Sequence, residues 1–184
     1  SGPQDYQSVL DAVHAGASAI TAVEINGIIN DVLREDPDRF WGGLFKRPEV
    51  RLVTEEGRSY VRRVKETYDV IVSSHTISNA AVASGAMSLA ENYVLTREAF
   101  EVYFDRLSAD GVIYFTRPEA QLPRLFSTVR EVMDARGIKD PARHVFAYRL
   151  APAAADGPAR KSFVSFFLCK KSAFSDDELA WIER

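Results

Sequence analysis

Cysteine is almost missing: Cys169 is the only one in 184 residues. A single thiol excludes an internal disulfide and a cysteine-built metal site, and it fits a reducing compartment. Cys169 reads as strand filling, and no metal site is expected. Long apolar runs are also lacking. No stretch approaches the ~20 residues of a membrane-crossing helix, and Ser1-Gly2-Pro3 does not open a signal peptide. These absences predict a soluble, cytoplasmic chain, either free or as the soluble domain of a larger protein. Blocks of like charge are absent too. The 23 Lys and Arg against 26 Asp and Glu leave a formal charge of -3, evenly mixed, so a small-molecule substrate is the expected partner and nucleic acid is not.

With 46% hydrophobic residues, residues 1–184 have the length and apolar content of one domain around one core. Tyr6, Val9, Leu10 and Val13 recur at helical spacing before Gly16, a helix stop. Ala19 to Ile25 is a short, β-branched run that suits a strand buried on both faces. Asn26 to Leu33 reads as a helix, and Glu35 to Pro48 as an anchored loop with some of its aromatics buried. Arg51 to Thr54 predicts a strand, Arg58 to Lys65 a helix, and Tyr68 to Ser73 a second buried strand.

Residues 74–95 turn small and polar over a length that marks a functional loop. Thr96 caps a helix whose Phe100, Tyr103, Phe104 and Leu107 form one stripe, and Ala109-Asp110-Gly111 turns it into the strand Val112 to Phe115. A long amphipathic helix from Leu122 ends near Gly137. The strands His144 to Leu150 and Ser162 to Leu168 flank a mobile connection, 151–161, and are expected to be antiparallel. Ser175 and Glu178 form a capping box, with Phe174 and Leu179 as its staple. The alternation predicts an α/β fold: a mostly parallel sheet, helices on both faces, and an antiparallel strand near one edge. In such sheets ligands bind beyond the carboxyl ends of the strands, which brings forward Glu24, the segment after Thr54, and Ser73 to Asn79.

Gly2-Pro3, Thr21-Ala-Val-Glu-Ile-Asn26, Glu56-Gly-Arg-Ser-Tyr60, Tyr68-Asp-Val-Ile71, Ser84-Gly-Ala86, Glu91-Asn-Tyr93 and Asp110-Gly111 together resemble the spermidine synthase-like branch of the class I S-adenosylmethionine-dependent methyltransferase superfamily. The resemblance implies a Rossmann-like fold and a donor of S-adenosylmethionine or its decarboxylated form. That fold's first strand has no counterpart in the sequence, and its glycine-rich turn is reduced to Gly2-Pro3-Gln4-Asp5. Without that strand its neighbours would expose backbone groups and apolar side chains, so the resemblance implies a homodimer or contact with a missing upstream segment.

Glu24 resembles the acidic residue that holds both ribose hydroxyls, a task suited to a carboxylate because it accepts two hydrogen bonds at once. The alternative is a strand-end Glu paired with a nearby Arg. Glu56 and Gly57 resemble the segment that receives the adenine amino group; a helix start, where Glu favours the helix dipole, is the competing reading. Gly2 and Ser73 complete the cofactor set implied by the resemblance. Ser74, Ser78, Asn79 and Glu91 fall in the substrate loop, where Glu91 either orients a substrate or caps a helix.

Aminopropyltransferases resembling this chain carry a catalytic Asp after the fourth strand, and here no carboxylate follows Asp69 in Tyr68 to Asn79. His75, with an ordinary pKa near neutrality, is the candidate general base; a solvated loop histidine is the alternative. The expected function is therefore methyl transfer rather than ordinary spermidine synthesis, with a non-catalytic domain for binding or assembly as the competing reading. A nicotinamide-dependent dehydrogenase would share the acidic ribose residue but needs a full glycine fingerprint.

Overall fold

The computed structural model describes residues 5–35, 42–74, 93–148 and 164–183. Chain contacts divide them into two compact units, one built on the residues up to Lys65, the other on Glu66–Ser74 and the chain from Leu95 onward. Of the expectations above, those on Gly2, Phe40, Trp41, His75, Ser78, Asn79, Glu91 and 151–161 lie outside the described residues.

In the first unit, α1 (Asp5–His14) stops at Gly16, whose φ of 78° is a conformation that side chains with a Cβ resist. Val9 of this helix, Leu44 and Val50 form a small core, and Phe45 packs on it with its ring edge-on to Tyr6 at 5.2 Å. Within 42–48, the described part of the expected anchored loop, a 3-10 turn at Leu44–Lys46 presents these side chains. Strands β1 (Ile20–Glu24) and β2 (Val50–Thr54) run parallel, from Ile20 opposite Val50 to Glu24 opposite Thr54. The expectation of burial on both faces is not met in β1, whose five residues are all half-buried, because β2 is its one hydrogen-bonded neighbour among the described residues.

Helix α2 (Gly27–Glu35) starts where the Asn26 side chain accepts the Ile28 amide at 3.0 Å, an Asx-type cap. It buries Asn30 and Leu33, three apart on one face, and leaves Ile28 and Val32 exposed. Helix α3 (Gly57–Arg63) buries Tyr60, whose ring lies under the guanidinium groups of Arg51 and Arg63 at 5.8 and 5.5 Å.

The second unit is a sheet in the order β3-β4-β6-β5, comprising β3 (Tyr68–Ser73), β4 (Leu107–Pro118), β5 (Val145–Tyr148) and β6 (Val164–Lys170). β4 is parallel to β3, and β6 is antiparallel to both β4 and β5, the expected direction. One face, with Ile113, Phe115, Phe167 and Cys169 fully buried, is the core of this unit. Helices α4 (Arg97–Arg106) and α5 (Leu122–Ala135) supply its other side, with Phe100 edge-on to Phe115 at 5.7 Å and Phe126 edge-on to Phe167 at 5.3 Å. Each large side chain buried here is worth about 1.5–3 kcal/mol. Thr96 caps α4 by accepting the Ala99 amide, and α5 ends at Gly137, φ 73°. The final helix α6 (Asp176–Ile182) opens with the full Ser175/Glu178 capping box, with Phe174 buried before it.

Two local expectations are corrected. Tyr68 to Ser73 is not buried on both faces: Val70 and Val72, opposite Val112 and Tyr114, are 56% and 43% exposed on the face away from buried Ile113 and Phe115. Ala109-Asp110-Gly111 is not a turn ahead of the strand. β4 already begins at Leu107, opposite Tyr68, and the next pair is Val70 with Val112, so the segment between is a wide bulge inside the strand.

Candidate functional site

In the first unit the carboxyl ends of β1 and β2 lie side by side, with Glu24 closing β1 and Glu55 and Glu56 following β2. Glu24 is the last residue of β1, and its Oε1 accepts the Asn26 amide at 2.7 Å, which turns the carboxylate over the start of α2. Its carbonyl accepts the Glu55 amide at 3.2 Å, extending the β1–β2 ladder by one bond. The bond from the Asn26 amide is local to the strand end.

Glu56 follows β2 and is the N-cap of α3. Its Oε1 accepts the Arg58 amide at 2.9 Å, and its Oε2 accepts the amide and hydroxyl of Ser59, each at 2.8 Å. The helix-start reading of Glu56 is thus met by the geometry. A Cβ added to Gly57 would meet nothing within 4 Å, so the surface at this helix start is open. Glu55 pairs with Arg63 at 2.6 Å, and that hydrogen-bonded guanidinium holds its carboxyl below the usual carboxylate range.

Sequence reasoning missed Asn30. Its Nδ2 donates to Thr54 Oγ1 at 2.8 Å and to the Val53 carbonyl at 3.3 Å, and lies 3.4 Å from the Glu24 carbonyl. The available signal was an amide three residues before Leu33, on the apolar side of α2.

In the second unit, Ser73 closes β3 opposite Phe115, and Ser73 and Ser74 are both half-buried. Asp69, at the other end of β3, accepts the Ser108 hydroxyl at 2.7 Å and ties β3 to the bulge of β4. His144 meets the Lys170 carbonyl through Nδ1 at 3.1 Å, a structural contact. Burial pushes the Cys169 thiol well above its ordinary pKa, which makes it inert as a nucleophile. No helix of the described residues is long and apolar enough to cross a membrane.

No family model matches the chain. Among curated proteins, polyamine aminopropyltransferase 1 of Pseudomonas aeruginosa is 32% identical over 82 residues, 45% of this chain and 28% of that protein. Among solved structures, the spermidine synthase from Thermotoga maritima matches with a TM-score of 0.59 at 18% identity, covering 96% of this chain and 53% of that one. A probable spermidine synthase from Corynebacterium glutamicum gives 0.65 at 17% identity, covering 98% and 59%. The chain resembles the spermidine synthases in sequence and in fold. Human methyltransferase-like protein 13, in complex with SAH, also matches, with a TM-score of 0.57 at 15% identity, covering 97% of this chain and 72% of that one. The fold is accordingly the Rossmann-like fold of the class I methyltransferases. The chain spans little more than half the length of the spermidine synthase structures it matches.

Proposed function

We propose that the chain binds an S-adenosylmethionine-type donor beyond the carboxyl ends of β1 and β2 and serves a group-transfer reaction, methyl transfer rather than ordinary spermidine synthesis. The observation that carries this is Glu24, a carboxylate at the end of a parallel strand, oriented by the Asn26 amide in the position where nucleotide folds place their ribose acceptor. In this reading Glu24 accepts the two ribose hydroxyls, and the open start of α3 at Glu56 and Gly57 receives the adenine. Ser73 and Gly2 complete the donor side, Gly2 on the methionine part, and Ser74, Ser78, Asn79 and Glu91 belong to the substrate side.

Methyl transfer fits the residues better than aminopropyl transfer. The sulfonium donor is already activated: the acceptor's lone pair forms the new bond to the methyl carbon as the carbon–sulfur bond breaks and leaves its electrons on sulfur. Positioning the acceptor in line is the main demand on the protein. An amine acceptor must in addition lose a proton, and the one carboxylate of Tyr68 to Asn79 is Asp69, engaged by Ser108 at the start of β3. His75 is the remaining candidate base in that stretch.

One observation favours a second reading, a domain that keeps the fold for binding or assembly without turnover: both oxygens of Glu56 are engaged in capping α3. Calorimetric titration with S-adenosylmethionine, its decarboxylated form and methylthioadenosine separates the two. The donor-binding reading requires saturable heat that Glu24→Ala removes; a wild-type chain that binds none of the three leaves the scaffold reading.

A partner contact belongs to the same proposal. The single neighbour of β3 among the described residues supports a further strand, supplied by another segment of the same polypeptide, along its other edge. The greater length of the matching spermidine synthases supports the same assignment.

A further inference from the structure

Asn30 is fully buried, yet its Oδ1 accepts no hydrogen bond among the described residues. The opposite assignment of its amide would aim Oδ1 at the carbonyls of Val53 and Glu24, which can only accept, so the donors must face the strand ends. A buried carbonyl without a donor is a cost that an aliphatic side chain of similar size avoids. What the amide provides and an aliphatic residue cannot is a tie across both strands: one nitrogen reaches the Thr54 hydroxyl and the Val53 carbonyl at the end of β2 and the Glu24 carbonyl at the end of β1. The Glu24 backbone fixed in this way carries the carboxylate that the Asn26 amide then orients.

We infer that Asn30 is a positioning residue for donor binding: it fixes the end of β1 against the end of β2 so that the Glu24 carboxylate stands ready for the ribose diol. The inference rests on the donor-binding reading above. It concerns specificity for the ribose rather than gross affinity, because the carboxylate that it positions is the one assigned to the ribose.

The test compares methylthioadenosine with its 2′-deoxy analogue by calorimetry, on the wild type, on Asn30→Leu and on Asn30→Ala, with thermal melting and amide exchange of the same proteins. Wild type is expected to prefer the ribose ligand by about tenfold or more, the scale of one lost charge-assisted hydrogen bond. Asn30→Leu is expected to bind the deoxy analogue unchanged and to lose most of the preference, while the Glu55 amide exchanges faster. Should the leucine variant not fold, Asn30→Ala, which removes the donor without adding bulk or charge, is read in the same way.

Equal weakening toward both ligands, or a preserved preference, overturns the Asn30 role while leaving donor binding intact. A wild-type chain that binds neither ligand overturns both. Unchanged Glu55 exchange in the variants overturns the tie itself, with or without ligand.

Discussion

Gly111 lies so close to Tyr68 that a Cβ added to it would stand 2.9 Å from the Tyr68 carbonyl oxygen, and equally close to the Leu107 side chain. A side chain can swing away, but a carbonyl held in the β3–β4 ladder cannot. Gly111→Ala is therefore expected to push the two strands apart at the bulge and to cost about 1–3 kcal/mol, the usual range for overpacking. Urea denaturation checks this, and a variant as stable as the wild type would show that the bulge relaxes freely.

The Gly111 contact also marks what sequence can and cannot reveal. Asp110-Gly111 reads as a turn because Asp and Gly are turn formers, and nothing local indicates that the glycine is required by a strand some forty residues earlier. Elements with their own periodicity are legible: Phe100, Tyr103 and Phe104 are buried on α4, and Ser175 and Glu178 make both bonds of their capping box. Glu24 is legible because a carboxylate after a β-branched run is a local pattern. Asn30 is not, since its role depends on carbonyls from two strands. The exposure of Val70 and Val72 is hidden for the same reason, because an all-apolar run states what could be buried and not what neighbour is present to bury it.

Lys170 and Glu178 make a pH-dependent clamp between β6 and α6. The ammonium, with a side chain 9% exposed, meets Glu178 Oε1 at 2.5 Å, and this bond, with the Ser175 amide, lowers the Glu178 pKa. A carboxylate with a depressed folded pKa contributes stability that is fully present above its unfolded pKa, near 4.5, and is lost as pH falls through the lower folded value. Glu55 with Arg63 and Glu49 with Arg47 act in the same direction. Melting temperature should fall as pH drops below about 4.5. Glu178→Gln should melt below the wild type at pH 7 and converge with it in the acid range; a gap that stays constant with pH would show that the glutamate acts by packing.

Glu56 is expected to serve both the helix and the donor. Loss of its capping bonds in Glu56→Ala should cost about 1 kcal/mol in chemical denaturation. If its carboxylate also receives the adenine amino group, methylthioadenosine should bind the wild type more tightly than its inosine counterpart, and Glu56→Ala should remove that difference. A full stability loss with the base preference intact would make Glu56 a cap alone.

The open edge of β3 gives the last prediction. Val70 and Val72 lie two apart and so point to the same side of the sheet, where they are 56% and 43% exposed. A strand paired on one side among the described residues is a template for another strand. If a further segment of the polypeptide takes that place, the chain should be monomeric in sedimentation with or without Val70→Lys, and a longer polypeptide should protect the amides of residues 68–73 from exchange. A stable dimer of the unmodified chain that dissociates in Val70→Lys would instead assign the edge to a second copy, with β3 pairing across the two-fold axis.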